Sequence, residues 1–146
     1  MLKRDSDLGR GKWENIMEDT KYSATGRRKE AVATVSLIPG EGLILVNKLR
    51  LENYFRRETD RIIIKQPLVA TNCLSKYNII ANIKGGGYSG QAGALRLAIA
   101  RALRLINEDI KKILRKNSFL TRDPRMKERK KYGQKGARKR FQWTKR

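Results

Sequence analysis

"YNIIANIKGGGYSGQAGALRLAIARAL", Tyr77 to Leu103, changes its hydrophobic period halfway along. Over the first eight residues, Tyr77, Ile79, Ala81 and Ile83 alternate with Asn78, Ile80, Asn82 and Lys84. That period of two predicts a strand over 77–84. Beyond the glycines, Leu95, Ala98, Ile99, Ala102 and Ile106 fall on one stripe of a helix that begins near Gly90. Arg96, Arg101 and Arg104 fall opposite it, with Leu97 among them.

The glycine run between the two elements admits several readings. Gly85, Gly87 and Gly90 satisfy G-x-G-x-x-G between a strand and a helix, the setting of a dinucleotide fingerprint. The acids at the expected distance, Glu108 and Asp109, open another helix instead of ending a second parallel strand, so the match fails on topology. Gly85 and Gly90 also have P-loop spacing, but Gln91 and Ala92 stand where a lysine and a hydroxyl are needed. Two readings survive. The backbone of Gly85, Gly86 and Gly87 approaches a phosphate at a helix N-terminus, with Lys84, Ser89 and Gln91 as further donors. Alternatively the glycines only serve a turn with positive φ, with no ligand at all.

Working outward, "EAVATVSLI" (30–38) has the β-branched, alternating character of a strand, "PGEG" (39–42) is turn chemistry, and "LILVN" (43–47) reads as a second strand. These two are expected to pair as a hairpin. "LRLENYFRRETDRIIIKQPLV" reads as helix up to a break before Pro67, with a strand over 61–65 as the alternative. On the C-terminal side, Asn107 is a helix cap, with Glu108 and Asp109 in the first turn where the helix dipole favours acids. Ile110, Ile113 and Leu114 then line one side of that helix. The fold class expected is α+β, a small sheet packed against helices.

Charge bounds the function. The chain carries 35 Lys and Arg against 14 Asp and Glu, a net +21. Residues 1–22 are neutral, whereas 121–146 hold twelve basic residues against two acids. Self-repulsion on this scale disfavours an isolated compact state and calls for a polyanion, of which nucleic acid fits best because cations run through the core as well as the tail. No run of about 20 apolar residues offers a membrane span. Cys73 is the only cysteine, which excludes an internal disulfide and reads as a small buried hydrophobe. Residues 1–21 lack the apolar stretch of a secretory signal and hold Asp5, Asp7, Glu14, Glu18 and Asp19, too many acids for a good transit peptide. They read as a disordered extension, followed by a globular RNA-binding domain over 22–120 and an extended basic tail over 121–146.

No enzyme constellation emerges, and no cofactor or metal is expected. The sequence has no histidine, and one cysteine makes no zinc cluster. Ser23, Ser36, Ser75, Ser89 and Ser118 have no evident base, and Glu52, Glu58 and Asp60 lie among arginines as expected solvated ion pairs.

"TGRRKEA" puts Arg27, Arg28 and Lys29 directly before the first expected strand. With Lys84, Arg96, Arg101 and Arg104 they are the domain's candidate phosphate contacts. The tail, "LTRDPRMKERKKYGQKGARKRFQWTKR", is too charged to fold alone and spans about 85 Å when fully extended. Its candidates are Arg122, Arg125, Arg129, Lys130, Lys131 and Lys135, then Arg138, Lys139 and Arg140. Tyr132, Phe141 and Trp143 are placed to stack on bases.

"GRRKEAVATV", "KGGGYSGQAGALRLAIARAL" and the tail, at their spacing, resemble the small ribosomal subunit protein nine family of bacterial and plastid type, over about residues 22–146. The resemblance implies a domain like domain two of ribosomal protein five, in the head of the small subunit beside neighbouring head proteins. It implies a structural role on ribosomal RNA, and a tail whose last residues, Lys145 and Arg146, approach tRNA in the peptidyl site. Phe141, Thr144 and Gly136 depart from the family's usual residues. A composition rich in Ile, Asn and Lys, without a transit peptide, favours a plastid ribosome, with a bacterial one as the alternative. Rival classes are a free RNA chaperone or DNA-binding module, and a nucleotide-dependent enzyme working through 85–90.

Overall fold

The computed structural model describes residues 22–145. The extension over 1–21 and the terminal Arg146 lie outside the described residues. Five strands form one mixed sheet: β1 (Tyr22–Arg28), β2 (Ala31–Pro39), β3 (Ile44–Val46), β4 (Leu49–Arg50) and β5 (Tyr77–Lys84). The helices are α1 (Leu51–Tyr54), α2 (Glu58–Ala70), α3 (Tyr88–Arg104) and α4 (Glu108–Lys116). The architecture is α+β, as the period change predicts.

The strand order is β1-β2-β5-β3-β4. β5 pairs antiparallel with β2 along its whole length, from Val32 opposite Lys84 to Pro39 opposite Tyr77. On its other edge it pairs parallel with β3. The expected β2–β3 hairpin therefore does not form, and the reason is Asn78. Its Oδ1 accepts hydrogen bonds from the backbone N–H groups of Glu41, Gly42 and Leu43 at 3.0, 3.1 and 2.9 Å. This pins the turn after β2 across the start of β5, so the chain enters β3 on the far side. Parallel strands need a crossover, and α2 supplies it. Asn78→Ala leaves three N–H groups without this acceptor and is expected to cost about 2 kcal/mol, read as a lower denaturation midpoint at an unchanged m-value.

β1 is a strand that the sequence reading lacks. Arg28 pairs with Ala31, so Lys29 and Glu30 form a two-residue connection, with Lys29 at a φ of 51°. Gly26 and two arginines give the segment little strand propensity. What makes it a strand is tertiary: α3 lies directly against it, and a Cβ at Gly26 would overlap the main chain of Ala94 and Ala98.

α3 is the centre of the molecule. It is buried around most of its circumference, Ala94, Leu95, Ala98, Ile99, Ala102 and Leu103 being fully enclosed between the sheet and α2. Leu97 is buried as well, which resolves its place among the arginines: the helix is covered on two sides, not one. Each large aliphatic side chain enclosed here contributes about 1.5–3 kcal/mol. Gly87 caps α3, so the helix begins two residues before Gly90.

Two further expectations shift. α2 continues through Pro67 to Ala70 instead of breaking before it. Pro67 stands in the last turn, where its missing N–H removes one bond, and Thr71 closes the end by donating from N (3.2 Å) and Oγ1 (2.9 Å) to the Pro67 carbonyl. In α4 the Asn107 cap forms, its Oδ1 accepting from Asp109 N at 3.3 Å. Leu114 is buried there, but Ile113 is exposed.

Candidate nucleic-acid interface

The helices cover one face of the sheet. Along β2, Ala31, Ala33, Val35 and Leu37 face them and are fully buried. The opposite face carries Arg27, Val32 and Lys84 in one cross-strand row, then Thr25, Thr34 and Asn82 in the next. Arg27 and Lys84 are exposed. Two cations far apart in the chain thus flank one small apolar residue on an open surface, an arrangement suited to a phosphodiester backbone.

Period two sends Arg28 the other way. Its guanidinium packs on Gly93, where a Cβ would lie 2.7 Å from Nη1, and donates to the Ser89 carbonyl at 3.4 Å. Nη2 reaches Asp123 Oδ2 at 3.2 Å. Arg125 grips the same carboxylate, Nε at 3.0 Å from Oδ1 and Nη2 at 2.9 Å from Oδ2. Hydrogen bonds from Arg125, with a smaller contribution from Arg28, hold the Asp123 carboxyl below the usual carboxylate range. The expected cluster of Arg27, Arg28 and Lys29 is therefore split. Arg27 serves the open face, and Arg28 fastens the start of the tail to the domain. Arg28, Lys29, Arg125, Met126 and Lys127 line an open cleft of about 370 Å³ at that junction.

The glycine turn joins the two readings left open. Gly85 and Gly86 have φ of 71° and 68°, and a Cβ on Gly85 would sit 2.6 Å from the Glu30 carbonyl oxygen. Both glycines are needed by the fold itself, to turn the chain against the tip of the β1–β2 hairpin. Gly87 is different. Its φ of −96° suits any residue, and a Cβ there would meet nothing within 4 Å. It leaves open space at the start of α3, where no side chain caps the helix.

The remaining candidates divide by exposure. Gln91 is buried and works inward, donating from Nε2 to the Gly85 carbonyl (3.0 Å) and accepting from Tyr54 OH at Oε1 (3.0 Å). Its part is to brace the turn. Arg101 donates to the Thr25 carbonyl on the outer edge of β1 at 2.7 Å. Arg96 bonds Gln66 at 3.3 Å and lies over the Phe119 ring at 5.9 Å. Both are half-buried, whereas Ser89 and Arg104 are exposed. Asp60, expected to be solvated, is 4% exposed in the first turn of α2.

Residues 121–145 contribute no helix or strand. Arg122, Arg125, Arg129, Lys130 and Lys131 are exposed, as are Lys135, Arg138, Lys139, Arg140 and Lys145. The sequence reading missed Asp123 as the anchor. Its signal is an acid in a segment otherwise dominated by Lys and Arg. Among the described residues no group of His, Cys, Asp and Glu could hold a metal ion, and no helix is long and apolar enough to cross a membrane. A family model for ribosomal protein S9/S16 matches residues 26–146, from the β1–β2 hairpin through the glycine turn to the tail, and the chain belongs to this family of small-subunit ribosomal proteins that bind ribosomal RNA.

Proposed function

We propose that the domain docks on ribosomal RNA through the Arg27–Lys84 row and the open backbone at Gly87. The tail, fastened at Asp123, then runs between RNA strands in the head of the small subunit, and its tip, Lys145 and Arg146, steadies tRNA in the peptidyl site without chemistry. The observation that carries this reading is the tail's state. Eleven cations among the described residues of the tail stand exposed on a segment without helix, strand or buried core, a form that is stable only where a polyanion surrounds it. Peptidyl-site tRNA and neighbouring head proteins are the partners this implies. The Ile-, Asn- and Lys-rich composition supports a plastid ribosome over a bacterial one.

Deleting Lys145 and Arg146 tests the tip. Subunit assembly, read by sedimentation, is expected to be unchanged. Affinity for tRNA in the peptidyl site is expected to fall roughly tenfold, the worth of one or two charge-assisted contacts. Equal tRNA occupancy in truncated and intact ribosomes would refute the assignment of the tip.

A further inference from the structure

Tyr88 is the one exposed aromatic side chain among the described residues before 121, with 62% of its surface open. A lone apolar side chain on a surface needs no explanation, but Tyr88 is the outer member of a cluster. Its ring meets Tyr54 at a centroid distance of 6.1 Å and Phe55 at 6.3 Å, with interplanar angles of 73° and 76°. Phe55 is buried, and Tyr54 is tied through its hydroxyl to Gln91, which holds the Gly85 carbonyl. The ring is therefore set edge-to-face on a rigid base, and its open surface is presented to solvent.

Its surroundings say what it receives. Tyr88 directly follows Gly87, the open backbone at the start of α3, and Arg56 and Arg57, both exposed, directly follow Phe55, whose ring meets that of Tyr88. A held aromatic ring among cations binds an unpaired nucleobase well: the ring takes the π-face while the cations take the flanking phosphates. Tyrosine has no advantage over alanine or leucine for the helix itself, so the ring is not explained by helix propensity.

We infer that Tyr88 is a stacking platform for an unpaired base of ribosomal RNA. The inference rests on the reading of this region as the RNA-docking side. It adds a base contact to a surface otherwise built for phosphates.

The test uses the full-length chain and folded small-subunit ribosomal RNA, with affinities measured for Tyr88→Phe, Tyr88→Leu and Tyr88→Ala. Phenylalanine keeps the ring and is expected to bind within twofold of the parent. Leucine keeps apolar area without the π-face and, like alanine, is expected to lose about tenfold. Ultraviolet irradiation of the parent complex is expected to give a nucleotide adduct on the Tyr88 peptide. Phenylalanine keeps both edge-to-face contacts and should unfold with the parent, whereas leucine and alanine lose them and are expected to unfold a few degrees lower, so all affinities are compared well below the onset of unfolding. Leucine binding as well as phenylalanine, or alanine as well as the parent, overturns the inference. An Arg27→Ala, Lys84→Ala double variant separates the causes. If it weakens binding while the Tyr88 variants do not, stacking alone is wrong. If neither does, the docking surface itself is wrong, and stacking with it.

Discussion

Gly26→Ala is expected to lower the unfolding free energy by about 3 kcal/mol, near the upper end of overpacking costs. The added methyl would overlap Ala94 O and Ala98 N and lie 3.0 Å from Ala98 Cα. All three are main-chain atoms of α3, so no side chain can swing aside to admit it. Relief requires α3 to move away from β1, and α3 also packs on β2 and α2. For a domain near 100 residues, 3 kcal/mol corresponds to a fall in melting temperature of about 12–24 °C. Gly87→Ala is the control. The added Cβ meets nothing and the backbone is ordinary, so the loss is expected to stay within about 1 kcal/mol, the difference between glycine and alanine as a cap. Urea titrations of both variants check the pair. Equal midpoints would mean that α3 does not press on the hairpin.

Gly26 also shows where sequence reading stops. β5 and α3 were legible because their signals are local: a period of two, a glycine turn, then a helical stripe. The Asn107 cap was legible for the same reason, since its partner is two residues away. β1 was not, because a strand containing Gly26, Arg27 and Arg28 exists only once α3 lies across it. Missing β1 hid the next step as well. Without a strand there is no period of two, so nothing separated Arg27 on the open face from Arg28 on the helical face. The partner of β3 was hidden by Asn78, read as a polar residue on the outer face of β5 when it in fact organises the loop before β3. Gly85 and Gly86 were legible as special, but their reason, a hairpin tip supplied by residues far earlier in the chain, was not. The ribosomal resemblance survived these errors because it rested on residue identities and spacing in GRRKEAVATV, the glycine turn with its helix, and the tail, which are read without any knowledge of strand pairing.

Truncation after Leu120 is expected to separate folding from RNA binding. The removed segment holds twelve basic and two acidic residues, and its described residues contribute no helix, strand or buried side chain. Arg28 loses its pair with Asp123, a single partly exposed ion pair that contributes little to stability. The domain should therefore unfold within a few degrees of the intact chain. Binding should change far more. Each phosphate contact on single-stranded RNA adds about 0.7 to the salt slope. If half the tail's cations meet phosphates, the slope of log K against log salt falls by about 4. In 0.1 M monovalent salt that is a loss of roughly four orders of magnitude. Titrations against small-subunit ribosomal RNA between 50 and 300 mM salt measure both quantities. A truncated chain with an unchanged slope would place the tail off the RNA. A replacement tail of the same composition in scrambled order distinguishes charge from path. It should restore most of the slope, since counterion release counts cations and not their order. On the proposed function it should not restore tRNA affinity in the peptidyl site, because that proposal puts Lys145 and Arg146 at the end of a path that starts at Asp123.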